Sequence, residues 1–294
     1  MILYDSVIIG HITKDYNIDH LDNTVEMCGG AVLYSSASAY ALGHRVAAVT
    51  KLNADDSDRL LSLTLPKEDI YCSFCKKSVV MRNKYFTPDK EKRDSRCLSK
   101  ATPFTLEDIN GIEGKIYHFA GLVNGDFPNE LIIECSKKAP VAVDVQGFVR
   151  NVDEESGKMF YRDWADKEKM LPYITYLKTD AAEAEILTGT DDRKKAAKIL
   201  HSLGAKEIVI THNSEVLVYD GSEYYTCPIK SRNLSGRTGR GDTTFAAYIT
   251  ERLQNGIEES LLFATATVSL KMETPGPFKG TRKDVENYIS EFYR

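Results

Sequence analysis

Several things are missing from this chain, and each omission closes a class of function. No apolar run approaches the ~20 residues that a membrane-spanning helix needs. Lys and Arg number 38 against 43 Asp and Glu, a net charge of −5, so no basic excess invites a nucleic-acid partner. There is no G-x-x-x-x-G-K-(S/T) sequence, which excludes the P-loop nucleotide binders. The 6 histidines are dispersed, without a metal-ligand spacing such as H-E-x-x-H. Met1 to Gly10 lacks the basic start and long apolar stretch of a signal peptide, and reads as a buried strand. The 6 cysteines are scattered, which fits a reducing cytoplasm. Cys72 and Cys75 form one C-x-x-C, with no second pair or histidine beside it.

What the chain does contain is a long alternation of short apolar runs and helical patterns. Its 294 residues, 42% of them hydrophobic, suffice for a substantial core. Val7-Ile8-Ile9-Gly10 reads as a first strand; the small residues from Ala31 to Leu42 read as a helix that Gly43 ends, and a second strand runs on to Val49. Tyr117 to Gly121 and Val141 to Val145 flank a helix at Asn129 to Lys138, a strand–helix–strand unit that implies parallel pairing. Tyr176 to Gly189 runs from strand into helix, and Glu207 to Thr211 is a strand with a polar end. Residues 216–219 and 224–226 make a hairpin across Asp220-Gly221, and a helix follows at 257–271. The pattern predicts one three-layer α/β/α domain, 1–294, with a mainly parallel sheet and right-handed crossovers. From Ile70 to Leu98 the texture changes to weakly alternating residues and a charged stretch, Asp89 to Arg96, that reads as an exposed turn or hairpin.

The most informative stretch is Ser235-Gly236-Arg237-Thr238-Gly239-Arg240-Gly241-Asp242-Thr243-Thr244-Phe245. It is glycine-punctuated and polar up to Gly241; from Asp242 the apolar positions Phe245, Tyr248, Ile249 and Leu253 recur at helical spacing. A glycine loop entering a helix gathers backbone N–H groups and the positive end of the helix dipole at one spot, which suits a phosphate or a developing oxyanion. Asp242 in the first turn can accept a proton from a substrate hydroxyl, although an ordinary capping aspartate gives the same spacing. Asp15 follows the first strand, at the carboxyl edge where parallel sheets bind ligands; a solvated turn residue fits there equally. Asp180 and Glu183 share one side of a helix start and suit a Mg²⁺ that keeps much of its water. They equally spell an aspartate N-cap with its capping-box glutamate.

Thr238 to Thr243 resembles the T-G-A-G-D-(T/S)-F signature of the ribokinase-like (PfkB) carbohydrate kinases, with Arg240 in place of a small residue and Thr244 inserted before Phe245. The block from Gly29-Gly30 to Gly43 is similar to the family's G-G-x-x-x-N-x-A-x-x-x-x-x-L-G. Tyr34 stands there in place of a sugar-binding Asn, and an aromatic at that point is similar to the inositol-kinase-like branch. Asp144-Val145-Gln146-Gly147-Phe148 resembles that branch too. Thr211-His212-Asn213 falls in the place of V-T-x-G-x-x-G, Asp180 to Glu183 in that of N-x-x-E, and Lys271 to Phe278 is similar to the terminal glycine segment beside the adenine.

The resemblance implies ATP-dependent phosphoryl transfer to a hydroxyl of a sugar or polyol, myo-inositol-like or a pentose or hexose. Asp242 would be the catalytic base and Gly239, Arg240 and Gly241 the anion hole. Asp15, Gly29, Gly30, Tyr34, Arg82 and Gln146 would face the acceptor, and Thr211, Asn213, Gly239, Gly241, Pro275 and Gly276 the nucleotide. Asp180 and Glu183 would hold Mg²⁺. A small β lid from about 12–28 and 70–99 would close over the sugar, and lids of this kind often pair two copies as a homodimer. Gly236 stands where potassium-activated members carry an acidic ligand. The competing readings are a nucleoside acceptor stacked on Tyr34, or a sugar- or nucleotide-binding regulator without turnover.

Overall fold

Val7, Ile8 and Ile9 are all fully buried, the mark of a strand covered on both faces. In the computed structural model, which describes residues 2–87 and 93–294, they belong to the strand Ser6–Ile9 inside a nine-stranded sheet. Across that sheet the order is Tyr224–Pro228, Glu215–Tyr219, Glu207–Thr211, Tyr176–Asp180, Val141–Asp144, Tyr117–Phe119, Ser6–Ile9, Val46–Leu52 and Ile70–Phe74. Neighbours pair in parallel, except that Glu215–Tyr219 runs antiparallel to both of its partners.

Alternate residues of each strand serve opposite cores. Val143, Ile208 and Ile210 pack with Leu131, Leu187 and Leu200, so Asn129–Ser136, Ala181–Thr188 and Arg193–Ser202 form one helical layer. Ala142 and Val209 pack with Phe245, Tyr248, Leu261 and Val285 of Arg240–Glu251, Ile257–Lys271 and Arg282–Phe292. Ala31–Ala41 completes that second layer over Ile8 and Ala48. Burying each Leu, Ile or Phe is worth about 1.5–3 kcal/mol, which is what holds the layers on the sheet. The chain thus adopts the three-layer α/β/α architecture that its alternating runs imply. Among the described residues no helix is long and apolar enough to cross a membrane.

Two features of this frame make room for a site. From Ser6–Ile9 the chain steps outward to Val46–Leu52 and Ile70–Phe74, then returns to Tyr117–Phe119 and proceeds the other way. Loops leaving two adjoining strands in opposite directions open a crevice at their carboxyl ends. The segments Thr24–Gly29, Thr13–Ile18, Val79–Tyr85 and Arg93–Ser99 form a separate four-stranded sheet, in that order. The expected start of its second segment near Ile70 moves to Val79, because Ile70–Phe74 pairs with Val46–Leu52 as the outermost strand of the large sheet. Val46–Leu52 is buried at every position and needs cover on that flank; Ile70 and Cys72 pack on one core and Tyr71 on the other. Of the charged stretch expected as an exposed turn, residues 89–92 lie outside the described residues.

Candidate active site

The helix Arg240–Glu251 starts on Gly239, whose φ of 75° is left-handed. A Cβ there would meet the Tyr34 ring at 2.1 Å, so only glycine fits. The helix begins two residues ahead of Asp242, which places that carboxylate in its first turn. The N–H groups of Arg240, Gly241 and Asp242 have no acceptor within the helix. Thr243 N–H is the first to find one, the Gly239 carbonyl at 3.0 Å. Ala31–Ala41 pins this turn: Ser38 Oγ donates to the Thr243 carbonyl at 2.9 Å and Ser35 Oγ to that of Asp242 at 3.4 Å.

Charges converge on the same turn. Lys178 is buried, and its Nζ donates to both oxygens of Asp144, at 2.9 and 3.1 Å, while standing 3.9 Å from Glu183 Oε2. A Cβ on Gly241 would come within 2.9 Å of that Nζ, so the ammonium lies against the glycine loop. Burial alone would favour a neutral amine; Asp144, Glu183, Asp180 and Asp242 reverse that and hold Lys178 charged, above the usual lysine range. Burial, reinforced by the like charge of Asp144, pushes the Asp242 carboxyl up to about 6, against the pull of Lys178, Arg150 and Lys271. Gln146 gives its amide N–H to the Gly121 carbonyl at 3.1 Å and accepts from Arg150 at 2.6 Å, so both ends of its side chain are taken and it orients Arg150.

Across the crevice, Asp15 accepts from Thr13 Oγ1 at 2.6 Å. Burial raises its carboxyl, opposed by the Thr13 bond and by Arg93 and Arg59. Gly29 leaves room for it, since a Cβ there would sit 2.3 Å from Asp15 Oδ2, and Gly30 starts the Ala31–Ala41 helix. Tyr34 lies between the two halves: burial first, then the charges of Asp15 and Asp242, hold its hydroxyl protonated well beyond the usual range. Strand register sets Asp15 opposite Met27 and Met81, and Asn17 opposite Asn83, which in turn faces Ser95. Ser95 Oγ donates to Asn83 Oδ1 at 2.7 Å, and Asn83 Nδ2 to Asn17 Oδ1 at 3.2 Å. Arg82, expected at the acceptor, is not brought there. It pairs with Tyr16 and Arg96, one residue out of step with Asp15, and therefore points from the opposite face, 3.7 Å from Asp94.

The remaining expected residues divide between two flanks of the glycine loop. Thr211 lies beside Asp180 in register and donates to the Thr179 carbonyl at 3.4 Å. Next to it, His212 is held below its usual pKa by burial and by the charges of Arg193 and Arg240. Asn213 stands exposed on the turn beyond. Pro275 and Gly276 belong to the other flank, where Gly236 N–H donates to the Met272 carbonyl at 2.7 Å. Asp180 Oδ1 accepts from Glu183 N–H and Glu183 Oε2 from Asp180 N–H, both at 2.8 Å, a complete capping box. Among the described residues no group of three or more His, Cys, Asp or Glu stands ready for a metal. Sequence reasoning missed Lys178 and Lys271. The one available signal for Lys178 was a charge amid the apolar run Tyr-Leu-Lys-Thr.

An amide-lined helix mouth with an acid in its first turn, together with a buried acid whose charge reaches the same Tyr34, suits transfer of a phosphoryl group to an alcohol. Residues 1–283 match the sequence model of the pfkB family carbohydrate kinases. The chain belongs to that family and is a carbohydrate kinase. It is similar over nearly its whole length to a pyrophosphate-dependent kinase of the ribokinase family solved with a pyrophosphate analogue and myo-inositol: 35% identity, 96% of this chain and 99% of the other, TM-score 0.87. A pyrophosphate-dependent myo-inositol-1 kinase, converted by two substitutions into a myo-inositol-3 kinase, is 33% identical over 98% of this chain and 100% of its own, TM-score 0.85. The cytidine kinase of Thermococcus kodakarensis is 27% identical over 260 residues, 84% of this chain and 88% of that protein. Arabidopsis thaliana ribokinase, solved with ribose and ATP, shares the fold at 17% identity, covering 98% of this chain and 99% of its own, with a TM-score of 0.79.

Proposed function

We propose that this kinase phosphorylates a hydroxyl of a polyol of the myo-inositol class, with Asp242 as general base. The observation that carries the reading is the meeting of two carboxylates at Tyr34: its ring lies against Gly239 at the start of the Asp242 helix, Asp15 lies against Gly29 at the start of Tyr34's own helix, and the charges of both acids reach Tyr34. Asp15 and the Asn17–Asn83–Ser95 ladder supply donors and acceptors for ring hydroxyls, the groups a polyol presents on every side. Asp242 takes the hydroxyl proton as attack proceeds, and its raised pKa brings it toward the working pH, where a base is most effective. The N–H groups of Gly239 to Asp242 stabilise the oxygens of the transferred phosphoryl group, with the Lys178 charge behind them. The small sheet acts as a lid that keeps water from competing with the acceptor.

For the donor, inorganic pyrophosphate is the first reading. Two similar relatives are described as pyrophosphate-dependent. Arg240 also stands in the glycine loop where the family pattern has a small residue, and its positive charge suits a donor made only of phosphate. ATP is the second reading, favoured by Thr211 and Asn213 on one flank and Pro275 and Gly276 on the other, and by the fold shared with an ATP-bound ribokinase. Asp180 and Glu183 fit Mg²⁺ in a limited way. Their capping box engages Asp180 Oδ1 and Glu183 Oε2, and Asp180 Oδ2 remains to join water and donor oxygens, a coordination magnesium accepts. When bound, the ion would neutralise donor charge.

Purified protein given myo-inositol and Mg²⁺ with either pyrophosphate or ATP, followed by phosphorus NMR, is expected to form a phosphate monoester, and faster with pyrophosphate. No monoester from either donor with myo-inositol, ribose, fructose or cytidine would refute the reading.

A further inference from the structure

Beneath the glycine loop stands a buried ammonium. Lys271 ends the helix Ile257–Lys271 and is 1% exposed. Its Nζ donates to the carbonyl oxygen of Gly236 at 2.5 Å and to that of Thr238, and lies 5.1 Å from the centre of the Tyr34 ring. Position 236 can offer nothing of its own to these carbonyls, because a Cβ there would meet the Thr274 carbonyl oxygen at 1.8 Å. The cation comes from the helix end instead.

Its effect on the loop follows from peptide geometry. A trans peptide is planar, with C=O and N–H on opposite sides. Turning the Thr238 carbonyl onto Lys271 therefore turns the Gly239 N–H away from Lys271. The Gly236 carbonyl and the Arg237 N–H are coupled in the same way. An alkali ion coordinated by the two carbonyls would impose the same orientation; a tethered ammonium does so at any salt concentration. We propose that Lys271 is a positioning residue, a built-in monovalent cation that fixes the Gly236-to-Gly239 backbone in its anion-binding orientation, so that this kinase needs no potassium or ammonium ion. The proposal rests on the reading of this loop as the phosphoryl-binding site.

The charged and titratable groups that face Lys271 are Asp242 and Arg240 from the Arg240–Glu251 helix and Tyr34 from Ala31–Ala41. Burial lowers the Lys271 pKa to about 8, with Asp242 opposing and Arg240 assisting. The loop accordingly loses its cation as pH rises through about 8.

The test is Lys271→Met, which keeps the length of the side chain and removes its charge. Its kcat is expected to fall about 10²-fold, the scale of losing one oriented anion-hole donor, with little change in acceptor KM. Potassium or ammonium chloride, but not tetramethylammonium chloride, should restore much of that loss. The parent should turn over equally in all three salts and decline above about pH 8, a decline the variant lacks. Potassium activation of the parent by about tenfold or more, or a folded Lys271→Met variant as fast as the parent in tetramethylammonium chloride, would overturn the proposal. If the variant does not fold, the salt comparison and the alkaline decline of the parent decide it. If the parent turns over no acceptor, the proposed function fails, and the thermal shift caused by inorganic pyrophosphate decides the present inference: loss in Lys271→Met with recovery in potassium supports it, and an unchanged shift contradicts it.

Discussion

The two walls of the crevice are built in different ways. The wall formed by the glycine loop and the Arg240–Glu251 helix is contiguous in sequence and rests on a packed backing: Gly239 to Asp242 are half-buried, Thr243, Thr244 and Phe245 are 0% exposed, and Lys178, Asp144 and Glu183 are buried. The wall formed by the small sheet is assembled from Asn17, Asn83 and Ser95 on three separate strands. These residues are only half-buried and are held by side-chain hydrogen bonds. The far face of the sheet is charged, with Lys14, Glu26, Arg82 and Arg96. On the proposed function, the reacting groups rest on a packed backing, and the groups that would choose the acceptor sit where a side chain changes at small cost to stability.

Substitutions on each wall sharpen that contrast. The largest effect is expected from Lys178→Met, which leaves Asp144 and Glu183 buried without their cation. Breaking a buried pair from one side costs about 3–5 kcal/mol, read as a lower urea midpoint with an unchanged slope. Gly29→Ala comes next. Its Cβ would displace the Asp15 carboxylate, 2.3 Å away, and acceptor KM should rise about tenfold with kcat less affected. Asn83→Leu removes the middle of the polar ladder; kcat/KM for myo-inositol should fall about tenfold, the cost of about one lost hydrogen bond, while the urea midpoint hardly moves. Arg82→Ala, on the opposite face, should change kcat/KM by less than about twofold, as expected of a partly exposed ion pair. An Arg82 effect larger than the Asn83 effect would overturn the assignment of faces.

The same contrast explains what the sequence revealed. The helix start after Gly239 and the parallel strands at Tyr117 and Val141 were legible, because glycine punctuation and apolar periodicity are local properties. Asp15 after the first strand and Asp242 in the first turn of its helix were placed by the same local signals, while their roles came only from the family resemblance. The place of Ile70–Phe74 was not: a short strand with both faces partly covered is assigned only by its parallel partner, Val46–Leu52, and parallel pairing is non-local. Arg82 failed on parity. Whether it or Asn83 shares the face of Asp15 depends on the Tyr16-to-Arg82 register, which neither strand carries alone. Lys178 and Lys271 were hidden because a buried lysine is defined by its partners, Asp144 in one case and two loop carbonyls in the other, which lie far away in the chain.

The single-turnover rate of Asp242→Asn, measured against the parent between about pH 5 and 8, tests the central claim most directly. A carboxyl raised to about 6 is a base above that pH and loses the role below it, so the parent rate should fall as pH drops through 6. The variant should bind acceptor normally and react about 10²–10⁴-fold more slowly, without that acid limb. A variant within a few-fold of the parent at every pH would contradict the account.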